Sequence, residues 1–308
     1  MNNRLLVQIG GVELKNPLLT ASGTFGFAQE YNELFDVSLL GGIVVKGLTL
    51  KPKEGNAPPR VVETPSGLLN AIGLQNPGIE CFVTKELPVL RGIKTRVIAN
   101  IAGSTLEEFA EIATILDDEE GITALELNIS CPNVKQGGMA FGVHPKSAAA
   151  VTEIVKKNTT LPVWVKLSPN VTDIKEIAKA VEAAGADAIT LINTLLGMAI
   201  DLKKRRPVLD NIFGGLSGPA VKPVALRMVW QVYEAVRIPI IGMGGITSAQ
   251  DVLEFIMAGA SAVAMGTGLF AYPLSPPEIL HDLEQFLIEE DIKHITDLTG
   301  AAHDFSAW

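Results

Sequence analysis

Cysteine is nearly missing from this chain, where Cys81 and Cys131 are the only two in 308 residues. So few thiols exclude a disulfide framework and a cluster held by four cysteines, and they fit a reducing compartment. Histidine is scarce as well. His144, His281, His294 and His303 show no metal-ligand spacing with one another or with the cysteines, so no metal site is expected. Positive charge is in deficit, with 25 Lys and Arg against 34 Asp and Glu and a formal charge of −9. No Lys/Arg cluster follows an aromatic-rich segment, and nucleic acid is not an expected partner. Long apolar runs are absent too, none approaching the roughly 18 residues that a bilayer span needs. The opening MNNRLLVQIGG has only a very short apolar run before Gln8 and two glycines, unlike a secretory leader. The expected location is the cytoplasm.

What the chain does contain is enough apolar sequence, 47%, to bury a large core. Short runs rich in Val and Ile recur at 17–20, 43–46, 97–101, 124–129, 163–167, 188–192, 238–242 and 262–265. Segments with helical spacing lie between them, for example 105–118, 172–184 and 248–258. Strands alternating with helices imply parallel pairing with both sheet faces covered, and eight such units close a TIM (β/α)8 barrel, an α/β fold. No linker or low-complexity stretch interrupts residues 1–308, which read as a single domain.

Local signals support the same reading. Ser104-x-x-Glu107, Ser248-x-x-Asp251 and Ser275-x-x-Glu278 look like capping boxes, the last with Pro276 as the first helical residue. The junctions LLGGIVV at 39–45, AAGADAI at 183–189 and MAGASAV at 257–263 each place glycine where a helix end needs positive φ. VQIGGVEL at 7–14 predicts a short N-terminal β-hairpin under the barrel. Two connections are long, 47–78 after strand 2 and 193–218 after strand 6, and loops of that length usually serve as lids or binding walls.

In this fold the chemistry sits where strands end. Those ends are polar: Ala21-Ser22-Gly23, Lys46-Gly47, Asn100, Asn128, Lys166 and Asn193-Thr194. Strands 7 and 8 end instead in Gly242-Met243-Gly244-Gly245 and Met265-Gly266-Thr267-Gly268. Such glycines either make tight turns or let backbone N–H groups close on a phosphate, and their pairing on adjacent strands favours phosphate. Lys46 or Lys166 could form a Schiff base in a lyase. Two lysines among three asparagines suit a planar heterocycle with alternating N–H and C=O groups better, either a flavin or a pyrimidine. A cation such as Lys166 near a flavin ring would also favour its reduced, anionic form. Cys131 lies just beyond strand 4 on a loop with Pro132, Gly137, Gly138 and Gly142, a position that turns a lone cysteine into a catalytic candidate. Cys81, inside GIECFVTKEL, reads as a packed apolar residue.

At these residues the chain resembles class 1 dihydroorotate dehydrogenases, and the catalytic subunit of the NAD-linked class 1B form most closely. The resemblance covers essentially the whole chain. It is carried by ASGTFGF at 21–27, VVKGLTL at 44–50, NAIGLQNPG at 70–78, NISCPNVKQGG at 128–138, VWVKLSPN at 163–170 and the turns GMGGI and MGTG. It implies one FMN per chain, held by Ser22, Lys46, Gly47, Asn100, Asn128, Lys166 and Ile192, with Gly218, Gly244, Gly245, Gly266 and Thr267 at the ribityl-phosphate end. It implies dihydroorotate contacts at Lys46, Asn70, Ala71, Ile72, Gly73, Leu74, Asn128, Asn193 and Thr194. Cys131 matches the base that removes the C5 proton while a hydride leaves C6. The membrane-bound class has serine there and an added N-terminal segment, neither of which is expected here.

The resemblance further implies a partner subunit with FAD and a [2Fe–2S] cluster that passes electrons to NAD, around a catalytic-subunit dimer in a heterotetramer. The nearest alternative is a class 1A-like homodimer using fumarate. A Schiff-base lyase and a non-catalytic binding barrel are more remote.

Overall fold

A computed structural model of the chain describes residues 3–129 and 141–306. Eight parallel strands, Leu18–Thr20, Gly42–Val44, Arg96–Ile101, Ala124–Asn128, Val163–Lys166, Ala188–Leu191, Ile240–Met243 and Ala262–Met265, pair in chain order into a closed barrel. Met265 beside Thr20 joins the last strand to the first. Each strand lies within one of the apolar runs expected from the sequence, or within two residues of it. Strands such as Val163–Lys166 and Ala188–Leu191 are buried at every position, which is why they read as continuous apolar runs rather than alternating ones.

The helices outside show the matching 3.6-residue period. In Leu106–Asp117 the buried residues are Phe109, Ile112, Ala113 and Leu116, one stripe against the barrel. Its cap lies one residue later than the spacing of Ser104 and Glu107 predicts. Thr105 Oγ1 accepts from the Glu108 amide at 3.2 Å, and Glu108 Oε2 accepts from the Ser104 amide at 2.6 Å. Glu108 thus reaches back past the N-cap Thr105 to the residue before it, so only half of a box forms. Ser248 and Asp251 form both halves of the expected box. Ser275 does not cap: it is the first helical residue, with Pro276 second, and its hydroxyl donates to the Tyr272 carbonyl at 2.8 Å. The preceding turn already ties it down.

Two of the three repeated junctions need a left-handed residue, Gly185 at φ 92° and Gly259 at φ 115°. The third does not. Gly41 is glycine because a Cβ there would collide with the Asn16 carbonyl oxygen. The hairpin Val7–Ile9 with Val12–Leu14 forms as expected, turning through Gly10 and Gly11 at φ 53° and 84°. Gly10 packs on Asp187, just before the sixth strand, so the hairpin closes the N-terminal end of the barrel.

The two long connections are not separate lids. Their strands Val61–Thr64, Gly67–Asn70, Leu195–Met198 and Phe213–Ser217 form one four-stranded antiparallel sheet over the C-terminal end of the barrel. Asn70 pairs with Gly215, and the Ala220 amide donates to the Ser66 carbonyl at 2.9 Å. Among the described residues, no helix is long and apolar enough to cross a membrane.

Candidate active site

The C-terminal strand ends and the added sheet enclose a cavity of about 480 Å³, inside the roughly 300–1,000 Å³ typical of small-molecule sites. The barrel contributes Ser22, Lys46, Gly47, Asn128, Lys166, Ile192, Asn193 and Thr194. Asn70, Ala71, Ile72, Gly73 and Leu74 come from the first connection and Gly218 from the second, with Gly244, Gly245, Gly266 and Thr267 completing the wall. Asn100 stands behind that wall rather than on it. It is fully buried, and a Cβ on Gly47 would come within 2.8 Å of its Oδ1. Cys131 lies outside the described residues.

Strand register explains the grouping. Asn128 and Lys166 are neighbours across the fourth and fifth strands, so their side chains share one level of the barrel mouth. Lys166 is buried, with Nζ 3.5 Å from Ser22 Oγ. Lys46 is pushed below its ordinary pKa, first by burial and then by the charges of Arg60 and Lys166. Among the described lining residues only Glu63 is a carboxylate, and it is exposed. The interior of an acidic protein is thus locally positive, which favours anionic ligands or rings that gain negative charge.

Hydrogen bonds in the added sheet and around the ends of the fifth and sixth barrel strands orient this part of the lining. Asn70 Nδ2 donates to the Gly215 carbonyl at 3.3 Å, and Asn170 Nδ2 donates to the Thr194 carbonyl at 3.0 Å. The Thr194 amide donates to Asn193 Oδ1 at 2.8 Å. At the glycine end three chain segments converge with almost no side chain between them. A Cβ on Gly245 would meet the Gly218 carbonyl oxygen at 2.8 Å, and Gly244 holds φ 132°.

Sequence reasoning missed Val61, Glu63, Ser217 and Phe270, which also line the cavity. The alternation in RVVETPSGLLN, with a turn at its centre, was a usable hairpin signal for the first two. Nothing local marked Phe270.

Fold and cavity position together define the class: an enzyme of the (β/α)8-barrel type, working at the C-terminal ends of its strands. Comparison with known proteins is specific. The sequence pattern of the family described as dihydroorotate dehydrogenase matches residues 4–287. A protein of Desulforamulus reducens is 60% identical over 303 residues, spanning 98% of this chain and 100% of its own. One of Desulforudis audaxviator is 57% identical over 303 residues, spanning 98% and 99%, and one of Citrifermentans bemidjiense is 55% identical over 295 residues, spanning 96% and 97%. All three are named dihydroorotate dehydrogenase B (NAD(+)), catalytic subunit. The chain belongs to the dihydroorotate dehydrogenase family.

Proposed function

We propose that this chain is the catalytic subunit of an NAD-linked dihydroorotate dehydrogenase, oxidising dihydroorotate to orotate in pyrimidine biosynthesis with FMN as its cofactor. One observation carries the reading: a cavity with Lys46, Asn128 and Lys166 on one side runs without interruption into the side-chain-free wall of Gly218, Gly244, Gly245 and Gly266. That combination fits a planar heterocycle joined to a phosphate. A Cβ on Gly245 would displace the Gly218–Lys222 segment packed against it, so glycine there lets the two segments close up with backbone N–H groups left to face a phosphate.

FMN bound there would supply the two-electron acceptor for the hydride leaving C6 of dihydroorotate. Ser22, Lys46, Gly47, Asn128, Lys166 and Ile192 would hold its ring, and Asn100 would support the ring from behind Gly47. Gly218, Gly244, Gly245, Gly266 and Thr267 would take its phosphate end. Residues 70–74 with Asn128, Asn193 and Thr194 would orient the pyrimidine, satisfying its N–H and C=O groups, and Lys46 would attract its carboxylate. Cys131, three residues beyond Asn128 in sequence, would take the C5 proton as a thiolate, leaving the C5–C6 double bond of orotate. A thiol suits this step because its unperturbed pKa of about 8.5 is near operating pH.

The relatives' shared name, catalytic subunit, supports a second subunit, which would carry FAD and a [2Fe–2S] cluster to NAD. Two cysteines cannot ligate such a cluster here. A catalytic-subunit dimer inside a cytoplasmic heterotetramer completes the proposal. The test is Cys131→Ala: a folded, yellow protein is expected in which dihydroorotate bleaches the flavin about 10²–10⁴-fold more slowly. Bleaching at the wild-type rate would refute the base assignment. Assays with NAD and with fumarate, with and without a co-expressed partner, separate the NAD-linked reading from the fumarate-linked one.

A further inference from the structure

Lys222 and Asp251 lie outside the cavity, yet they join two of the three chain segments that build its glycine wall. Lys222 begins the helix Lys222–Tyr233, directly after Gly218–Val221. Asp251 lies in the first turn of the helix Ala249–Met257, which follows the loop carrying Gly244 and Gly245. Lys222 Nζ donates to Asp251 Oδ1 at 2.6 Å and stands 3.0 Å from Glu254 Oε2. The other carboxylate oxygen, Asp251 Oδ2, accepts from the Thr247 amide at 2.8 Å, the Thr247 hydroxyl at 3.0 Å and the Ser248 amide at 3.0 Å. A single carboxylate therefore grips the loop after the seventh strand with one oxygen and the chain after Gly218 with the other.

The segments it joins are already in contact. Beyond the Gly218 carbonyl, a Cβ on Gly245 would also meet Lys222 Cβ at 2.9 Å. The Lys222 charge is held by Asp251 and Glu254, and Lys222 does not line the cavity. Burial acts to lower its pKa, but hydrogen bonds and charges from Asp251 and Glu254 outweigh that and leave it raised. The glycine wall thus receives its geometry, and not a cation, from this pair.

We propose that the Lys222–Asp251 pair is a positioning device for the phosphate-bearing end of the flavin, setting the spacing between Gly218 and Gly245 without touching the ligand. This rests on the reading of that wall as a phosphate cradle. Its signature is selectivity, because the ring-facing residues Lys46, Asn128 and Lys166 stand on other strands and do not depend on the pair.

The experiment titrates the flavin-free full-length chain with FMN and with riboflavin, following flavin fluorescence. Wild type is expected to prefer FMN; equal affinities would overturn the cradle reading itself. In Lys222→Met, FMN affinity is expected to fall about tenfold or more while riboflavin changes less than about twofold. Lys222→Arg is expected to restore the preference, since a guanidinium can reach both carboxylates. Asp251→Asn keeps the side-chain shape and is read the same way should the methionine variant fail to fold. An unchanged FMN preference in these variants, or parallel loss of both flavins, would overturn the positioning role while leaving the cradle intact.

Discussion

Asn100 Nδ2 donates to Glu126 Oε1 at 2.6 Å, and both side chains are buried beneath the cavity. They are direct neighbours across the third and fourth barrel strands. With its amide nitrogen turned to Glu126, Asn100 leaves Oδ1 on the Gly47 side without a partner among the described residues.

Removing the acceptor should therefore matter. Glu126→Leu strands the Asn100 amide nitrogen and is expected to lower stability to urea by about 1–3 kcal/mol. Glu126→Gln keeps an acceptor and should lose less. The opposite order would show that burying a polar group at position 126 costs more than its hydrogen bond to Asn100 returns.

Lys46 supplies a pH dependence. Its folded pKa lies below the ordinary 10.5 because of burial, Arg60 and Lys166. In the folded protein the charged form is penalised below that ordinary value, and the penalty is relieved as pH rises through the folded pKa. Lys46→Met is thus expected to raise the melting temperature of the flavin-free protein at neutral pH, with the gain shrinking under alkaline conditions. Orotate affinity of the wild type should decline at a lower pH than an unperturbed lysine would give. A titration flat up to the ordinary lysine range would refute this.

Gly215→Ala tests the substrate wall itself. A Cβ there would collide with the Thr194 hydroxyl and come within 2.6 Å of Thr194 Cβ. Displacing one hydrogen-bonding side chain is expected to weaken orotate binding about tenfold. FMN binding should hold, which a paired titration would show.

Gly259→Ala tests the fold apart from the site. The residue has φ 115°, and its added methyl would enter the Tyr233 ring. Strain of this kind costs about 1–3 kcal/mol before the clash is counted. A lower unfolding midpoint with unchanged turnover below that midpoint is expected.

The barrel and its polar strand ends were readable because their signals are local. Burial on both faces writes each strand as an apolar run, and the next residue out is the strand end, so Lys46, Asn128, Lys166 and the paired glycine turns could be named from sequence. Cap choice was less accessible. Thr105 and Ser104 offer the same chemistry one residue apart, and it is Thr105 Oγ1 that accepts from the Glu108 amide.

Sequence by itself determined that Lys46, Asn128 and Lys166 reach the mouth of the barrel and that glycine stands where its last two strands end. Tertiary structure alone decided that the two long connections share one sheet, through contacts such as Asn70 with Gly215, 145 residues apart. It also decided that Asn100 sits behind Gly47 and that Lys222 is committed to Asp251. Hydrophobic period and turn chemistry act over a few neighbouring residues, whereas these arrangements exist only once barrel closure has brought distant strand ends together.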